Sequence, residues 1–240
     1  MGVALFHPLT NVTHAVRAMG TKRRIRALGL AGGAIAGAYH FAVRPWHRQW
    51  GATNDEATES LPGDDFVSDC DVSSTRGITI AAPARVVWPW LVQLGQSRGG
   101  FYSYERLETL FGLEIHNADR ILPEYQRLDV GDEVRLGPPG SETPSFHVAL
   151  VDPGRSLVLS APGWETGESQ ATWTFVLHEV TPGATRLLVR FRGRSETLRE
   201  RVMNRLFVEP VQFAMERKML KGIRERAERA RTSATEGQRR

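Results

Sequence analysis

A chain of 240 residues with 41% apolar and 24% charged residues suits one ordinary domain with a real core and additional segments. The net charge is +4 but no nucleic-acid recognition pattern accompanies it, so no nucleic-acid partner is expected. The single cysteine, Cys70, excludes an internal disulfide, and the seven histidines are scattered without metal-ligand spacing, so neither a metal nor a cofactor is expected.

The charge is concentrated rather than spread. Residues 1–53 contain no Asp or Glu yet carry Arg17, Lys22, Arg23, Arg24, Arg26, Arg44 and Arg48. After this basic segment, 1–26, the chain runs uncharged from Ala27 to Val43, the lower edge of a membrane-spanning length. Gly29, Gly33 and Gly37 recur every four residues, the close-packing pattern of membrane helix pairs, and Trp46 and Trp50 follow where interfacial aromatics sit. Residues 27–43 are therefore read as an apolar helix forming a single-pass membrane anchor. A soluble helix with a small-residue face is the competing reading. A cleaved signal peptide ending near Ala36-Gly37-Ala38 is a third, although its basic region would start unusually deep in the chain. The basic cluster before the anchor would stay inside, while Arg44 and Arg48 beyond it oppose that orientation.

Residues 44–71 read as a linker or surface wrap. Asp55, Glu56, Glu59, Asp64, Asp65, Asp69 and Asp71 reverse the sign of the charge, and Pro62-Gly63 marks a turn. The stretch "STRGITIAAP" (74–83) reads as a strand. "ARVVWPWLVQLG" places Val87, Trp90, Leu91 and Leu94 at helical spacing, with Pro89 set to kink it or confine the first turn. "SYERLETLFG" (103–112) reads as a second short helix between the cap Ser103 and the stop Gly112.

"DEVRLG", "SFHVALVD", "SLVLSA", "QATWTFVLHEV" and "TRLLVRFRGR" follow as strands separated by Pro-Gly turns. Trp173, Phe175 and Leu177 share one face of their strand, and Leu187, Val189 and Phe191 share one face of the next. This is antiparallel sheet with one buried face. Arg186, Arg190, Arg192 and Arg194 point the other way, as a solvated stripe or a contact for anionic lipid head groups. From Glu196 to about Arg231 the chain reads as a long helix interrupted only by Pro210 and Gly222. Phe207, Val211, Ala214, Met215, Met219 and Ile223 form its apolar arc. The tail 232–240 is polar and is expected to be disordered.

The order is strand, two short helices, several antiparallel strands and a long helix. The terminal helix is the only element long enough to cover a curved sheet, which makes 72–231 one α+β domain. At this point the chain resembles the SRPBCC, or helix-grip, superfamily of START lipid-binding domains, polyketide cyclases and the birch-pollen allergen fold. Within it the chain looks most like a bacterial, often actinobacterial, group with an N-terminal apolar segment. The residues that carry the resemblance are "RPWHRQWGAT" (44–53), "LPGDD" (61–65), "WPWLVQLGQSRGGFYSYERLETLFGLEIHNADRILPEYQ" (88–126) and "FAMERKMLKGIRERAE" (213–228). The resemblance implies a hydrophobic small molecule or lipid held between helix and sheet, with 98–126 as a wall of that space. It transfers no catalytic residue.

The candidate ligand-binding residues are Trp88, Phe101, Tyr102, Tyr104, His147, Trp173, Phe175, Met215 and Met219, with Trp90 and Trp164 as further aromatics. Each also makes sense as plain core, except His147, whose alternative is a solvent-facing strand position. His116 and Asp119 are an acid–base candidate because a carboxylate orients and charges an imidazole, yet no nucleophile accompanies them. The leading reading is a membrane-tethered domain that binds a hydrophobic or lipid-like molecule. The alternatives are a cyclase- or hydratase-type enzyme using the same space, and a partner-interaction module whose core is filled by its own side chains.

The anchor reading is checked by fractionation. The full chain is expected to sediment with membranes and to be released by detergent rather than by high salt, while a chain beginning near Gly51 stays soluble. Full-length protein in the soluble fraction at high salt without detergent refutes the anchor.

Overall fold

The computed structural model describes residues 37–104, 116–137, 145–162 and 169–237. By its internal contacts the chain divides into two units, Met1–Trp46 and His47–Arg240. The described part of the first contains a π-helical turn, Tyr39–Val43, and the start of a short helix α1, Arg44–Arg48. Residues 27–36 of the expected anchor lie outside the described residues. Among the described residues no helix is long and apolar enough to cross a membrane.

In the second unit six strands form one antiparallel sheet. They are β1 Val72–Ile80, β2 Glu133–Arg135, β3 Ser145–Asp152, β4 Ser156–Pro162, β5 Ser169–Thr181 and β6 Ala184–Gly193, in the order β1-β6-β5-β4-β3-β2. The first strand pairs with the last, so the chain between β1 and β2 crosses the sheet to reach its far edge. Alternation decides the faces. In successive cross-strand rows, one face carries Leu177, Leu187 and Ile78; then Leu157, Phe175, Val189 and Arg76; then Leu159, Trp173, Phe191 and Ser74; then Ala161, Ala171, Gly193 and Val72. Register shifts in β3 between Val148 and Leu150 and at two further points along the sheet mark irregularities of the kind that bend and twist strands.

Helix α2, Asn54–Thr58, precedes the sheet and helix α3, Ala84–Val92, follows β1. Pro89 does not end α3, which runs through it to Val92. After β6 come helix α4, Leu198–Met203, a π-helical turn Asn204–Val208, and the long helix α5, Glu209–Gly237, which packs on β1 and α3. Met219, Leu220, Ile223 and Ala227 of α5 join Phe175, Leu187, Val189 and Leu91 in the main core. This is an α+β helix-grip-like fold, a curved antiparallel sheet with a long C-terminal helix. Gly222 does not interrupt α5: a Cβ there would lie 2.6 Å from the Tyr102 carbonyl oxygen, so the missing side chain lets the helix approach that backbone.

The expected apolar arc of this helix is corrected at its start. Phe207 is 59% and Val211 39% exposed, whereas Met219 and Ile223 are buried. The π-helical turn accommodates more residues per turn than an α-helix, so the face carrying Phe207 is not the face that meets the sheet.

The opposite face of the sheet is covered as well. Arg186, Arg190 and Arg192 point outward as expected, but neither solvent nor lipid takes them. Arg190 is 3% exposed and donates to Thr75 Oγ1 at 2.9 Å, to the Glu59, Glu56 and Ala57 carbonyls, and to Asp64 Oδ2 at 2.5 Å. Arg192 donates to the Val67 carbonyl. Arg186 grips the two Glu56 oxygens at 2.7 and 2.8 Å, a bidentate geometry. Leu61 closes over Val176 and Leu188. Residues His47 to Ser68 are thus part of the fold, tied on by backbone carbonyls and two carboxylates. Trp50 packs partly against the core, with the Arg217 guanidinium 5.2 Å from its ring centroid. A shortened chain must keep His47 to Trp50 to retain these contacts.

Glu56 also stabilises its own helix. With Thr53 it forms the capping box of α2, accepting from the Thr53 N–H at 2.8 Å. The Arg186 guanidinium, ahead of these backbone bonds, lowers its carboxyl from 4.5 to about 2. A carboxylate depressed in the folded state stabilises fully above its unfolded value and loses that contribution as pH falls. Stability is therefore expected to fall between pH 4.5 and about pH 2 in part through Glu56. Urea denaturation across that range, comparing the parent with Glu56→Gln, should show a shallower fall in the variant.

Candidate ligand-binding site

Arg76 lies in mid-strand on the same face as Ile78 and Ile80, so strand parity carries a guanidinium into the core. Its side chain and that of Glu216 on α5 are each 2% exposed and form an ion pair. Arg76 Nε also donates to the His47 carbonyl at 2.9 Å, and its guanidinium lies 5.4 Å from the Phe213 ring centroid, against which His47 also stacks. The second Glu216 oxygen accepts from Trp173 Nε1 at 3.3 Å. Burial pushes the Glu216 carboxyl up from the usual carboxylate range, while the Arg76 charge and the Trp173 and Arg76 hydrogen bonds pull it back. The result is a polar node under helix, sheet and N-terminal wrap that fixes the plane of the Trp173 indole.

Around that indole the concave face changes character. Phe175, Val189, Leu157 and Met219 are at most 1% exposed. One row further, Trp173 and Phe191 are half-buried, and beyond them stand Ala161, Ala171 and Gly193, small residues. Three rings surround Trp173, with centroids 5.0 Å away for Phe175 and 6.1 Å for Phe101 and for Phe146. On α5, Met215, the neighbour of Glu216, is half-buried. The aromatic end is thus apolar and partly open, with one buried hydrogen-bonding node behind it. The node's own groups are mutually satisfied: both Glu216 oxygens are taken, by Arg76 and Trp173.

Residues 98–104 and 116–126, the described parts of the stretch 98–126, pack beside α3 and α5. Tyr102 has φ 55°, left-handed and unusual for a bulky residue. It is held there by several contacts. Its N–H donates to Asn117 Oδ1, its hydroxyl donates to the Trp90 carbonyl at 3.1 Å, and Arg226 of α5 lies 4.8 Å over its ring. Gly100, φ 75°, admits the His116 carbonyl and Asn117 side chain at distances a Cβ would forbid. Ser103 Oγ donates to the Met215 carbonyl at 3.1 Å, and Arg226 Nε to the Ala118 carbonyl at 2.8 Å. Both legs of the segment are therefore tied to α5. Burial holds the Tyr102 phenol above its ordinary pKa, so it remains a neutral donor.

The sequence-derived residues fall into distinct places. Phe101 and Trp173 meet at the aromatic end, and Met215 lies beside its polar node. Phe175 and Met219 are closed core, and Tyr102 is a buried wall residue. Trp88 is half-buried against the core, and Trp90 is core on α3. Tyr104 is 42% exposed. His147 is exposed between buried Phe146 and Val148, so alternation places it on the outer face, away from the candidate site. His116 and Asp119 are both exposed, and Asp119 pairs with Arg226 at 3.0 Å rather than with Arg120. Trp164 and most of the expected helix 103–112 lie outside the described residues. Arg76, Glu216 and Phe146 were not singled out from sequence, and Phe191 was placed on the buried strand face but not among the candidate ligand-binding residues. A charge on the Ile78–Ile80 face and another in step with Leu220 and Ile223 were the available signals.

No family model and no curated protein matches the chain. Among solved structures, a protein from Mesorhizobium loti is 14% identical and covers 66% of this chain and 98% of its own, with a TM-score of 0.40. A polyketide-cyclase-like protein from Corynebacterium glutamicum is 17% identical, covering 65% and 86%, with a TM-score of 0.31. The Aha1 dimer from Colwellia psychrerythraea is 18% identical, covering 60% and 96%, with a TM-score of 0.31. Strand order and the long C-terminal helix define the fold.

Removing one partner of the buried node leaves the other charge stranded. Glu216→Ala is expected to cost about 3–5 kcal/mol, and the double change Arg76→Met, Glu216→Leu to recover most of that loss. Chemical denaturation of the three variants measures both numbers.

Proposed function

We propose that this domain binds a hydrophobic small molecule, lipid-like in character, at the aromatic end of the concave face. The observation that supports it is the half-buried Trp173, held by buried Glu216 and ringed by Phe101, Phe146 and Phe175, next to a row of small residues. The reading moves the binding space from the middle of α5 toward its N-terminal half: Met219 and Phe175 already fill the middle. Binding is preferred over catalysis because Asp119 is engaged by Arg226 and both it and His116 are exposed. The uncharged run 27–43 after a basic cluster supports a membrane tether for the domain.

The test combines mass spectrometry of molecules that co-purify with the detergent-extracted chain and titration with a hydrophobic fluorescent probe. The parent is expected to bind probe, and Trp173→Ala to weaken that binding at least several-fold. Met219→Trp is expected to cost about 1–3 kcal/mol of stability by overpacking a closed core, with probe affinity retained in the folded fraction. A parent that binds no probe and carries no co-purifying molecule favours the filled-core partner module instead.

A further inference from the structure

The Phe191 ring does not stack on the residue it faces. Phe191 stands directly opposite Trp173 in the ladder, on the concave face. Opposed Cβ atoms on neighbouring strands are about 4.5–5.5 Å apart, which brings two aromatic side chains within reach of each other. Yet the rings around Trp173 are those of Phe101, Phe146 and Phe175. The Phe191 ring leans along its own strand instead, over Gly193. A Cβ on Gly193 would lie 3.1 Å from Phe191 Cε1 and 3.4 Å from Cζ.

Nothing else at position 193 calls for a glycine. Gly193 ends β6 in extended backbone and is not among the glycines with positive φ. The next atom that a Cβ there would meet is the Gln170 carbonyl oxygen at 3.8 Å, an ordinary contact distance. At Gly222, by contrast, the Cβ would strike backbone. The missing side chain at 193 therefore makes room for the Phe191 ring alone. With that ring drawn aside, Trp173 stays half-buried on its β6 flank, and Ala161 and Ala171 continue the row of Gly193 without large side chains. Arg76 and Glu216 behind the indole are paired with each other and offer no charge to a guest.

We propose that Gly193 is a specificity-determining residue of this site. By giving the Phe191 ring a place to lie, it sets how much room a guest finds beside Trp173, and the inserted part of that guest is apolar and uncharged. This inference rests on the binding reading above and adds to it the two residues that set the size of the space. A side chain at 193 returns the ring toward Trp173 and closes the flank. The ring is able to move, because Phe191 is half-buried and the contact is with its far edge.

The experiment titrates the full, detergent-extracted chain with N-phenyl-1-naphthylamine, a neutral fluorescent aromatic, and subtracts the signal of the probe in detergent alone. Gly193→Val is expected to weaken probe binding at least several-fold. Its urea midpoint is expected to stay at the parent's value or rise, because valine suits an extended strand better than glycine. Adding Phe191→Ala to Gly193→Val is expected to recover most of the lost affinity, since the ring that closed the flank is gone. If Gly193→Val does not fold, Gly193→Ala carries the same comparison with a smaller loss. A parent that binds while its position-193 variant binds equally well overturns this inference and leaves the binding reading standing. A loss that the double variant does not recover overturns it as well, because the side chain at 193 then excludes the guest by itself. A parent that binds no probe removes the binding reading, and this inference with it.

Discussion

The buried Arg76–Glu216 pair is the constraint on which the rest of the structure turns. Taking two charges out of water costs several kcal/mol each, and attraction across a dry interface returns that only if the geometry is held. Here it is held from three sides: by the His47 carbonyl on the Arg76 Nε, by the Trp173 indole on the second Glu216 oxygen, and by the Phe213 ring beside the guanidinium. The pair fixes the rotation of α5 about its own axis. With Glu216 inward, Met219, Leu220 and Ile223 follow onto the sheet at helical spacing, and Gly222 meets Tyr102. Apolar packing alone specifies a helix face loosely; one charge that must meet another specifies it to a single residue.

Arginine solves a different problem on the convex face. Its guanidinium has five donors and no acceptor, so a buried arginine needs several oxygens at once. Arg190 obtains them by drawing in carbonyls of residues 56, 57 and 59 with the Asp64 carboxylate, which turns an acidic segment into a fitted cover. The cover in turn brings Leu61 onto Val176 and Leu188 and supplies the His47 carbonyl to Arg76 through the same stretch of chain. Both faces of the sheet thus depend on residues that precede β1.

Much of this was legible in the sequence, and the failures share a cause. Period-two alternation in 171–177 and 185–191 identified the strands and the faces of Phe175 and Val189, because a half-buried strand leaves no other pattern. The long helix and its Met219–Ile223 face were readable for the equivalent reason. What alternation does not reveal is what covers a face: Arg186, Arg190 and Arg192 read as solvated because arginine usually is, and their partners lie more than a hundred residues away. Arg76 was overlooked although its parity matches Ile78 and Ile80, and Glu216 although its spacing matches Leu220 and Ile223. A charge that falls in step with an apolar face announces a buried partner, and two such charges announce each other. The π-helical turn was not legible, since nothing in "NRLFV" distinguishes it from ordinary helix, and the exposure of Phe207 follows from it.

The candidate site and the exposed helix are joined by the ladder itself. The row Ala161, Ala171, Gly193 is the last before β6 ends, and the Arg194 N–H still reaches back to the Gln170 carbonyl at 3.0 Å. The chain then turns directly into α4. Packing is complete from Leu177 and Leu187 to Phe175 and Val189 and becomes incomplete at Trp173 and Phe191, where the sheet runs out of large side chains. That is the end from which Leu198 and the residues after it set out. Incomplete packing on the concave face and an exposed apolar helix outside it therefore fall at one end of the sheet, and each leaves apolar area in water that the rest of the fold removes from it.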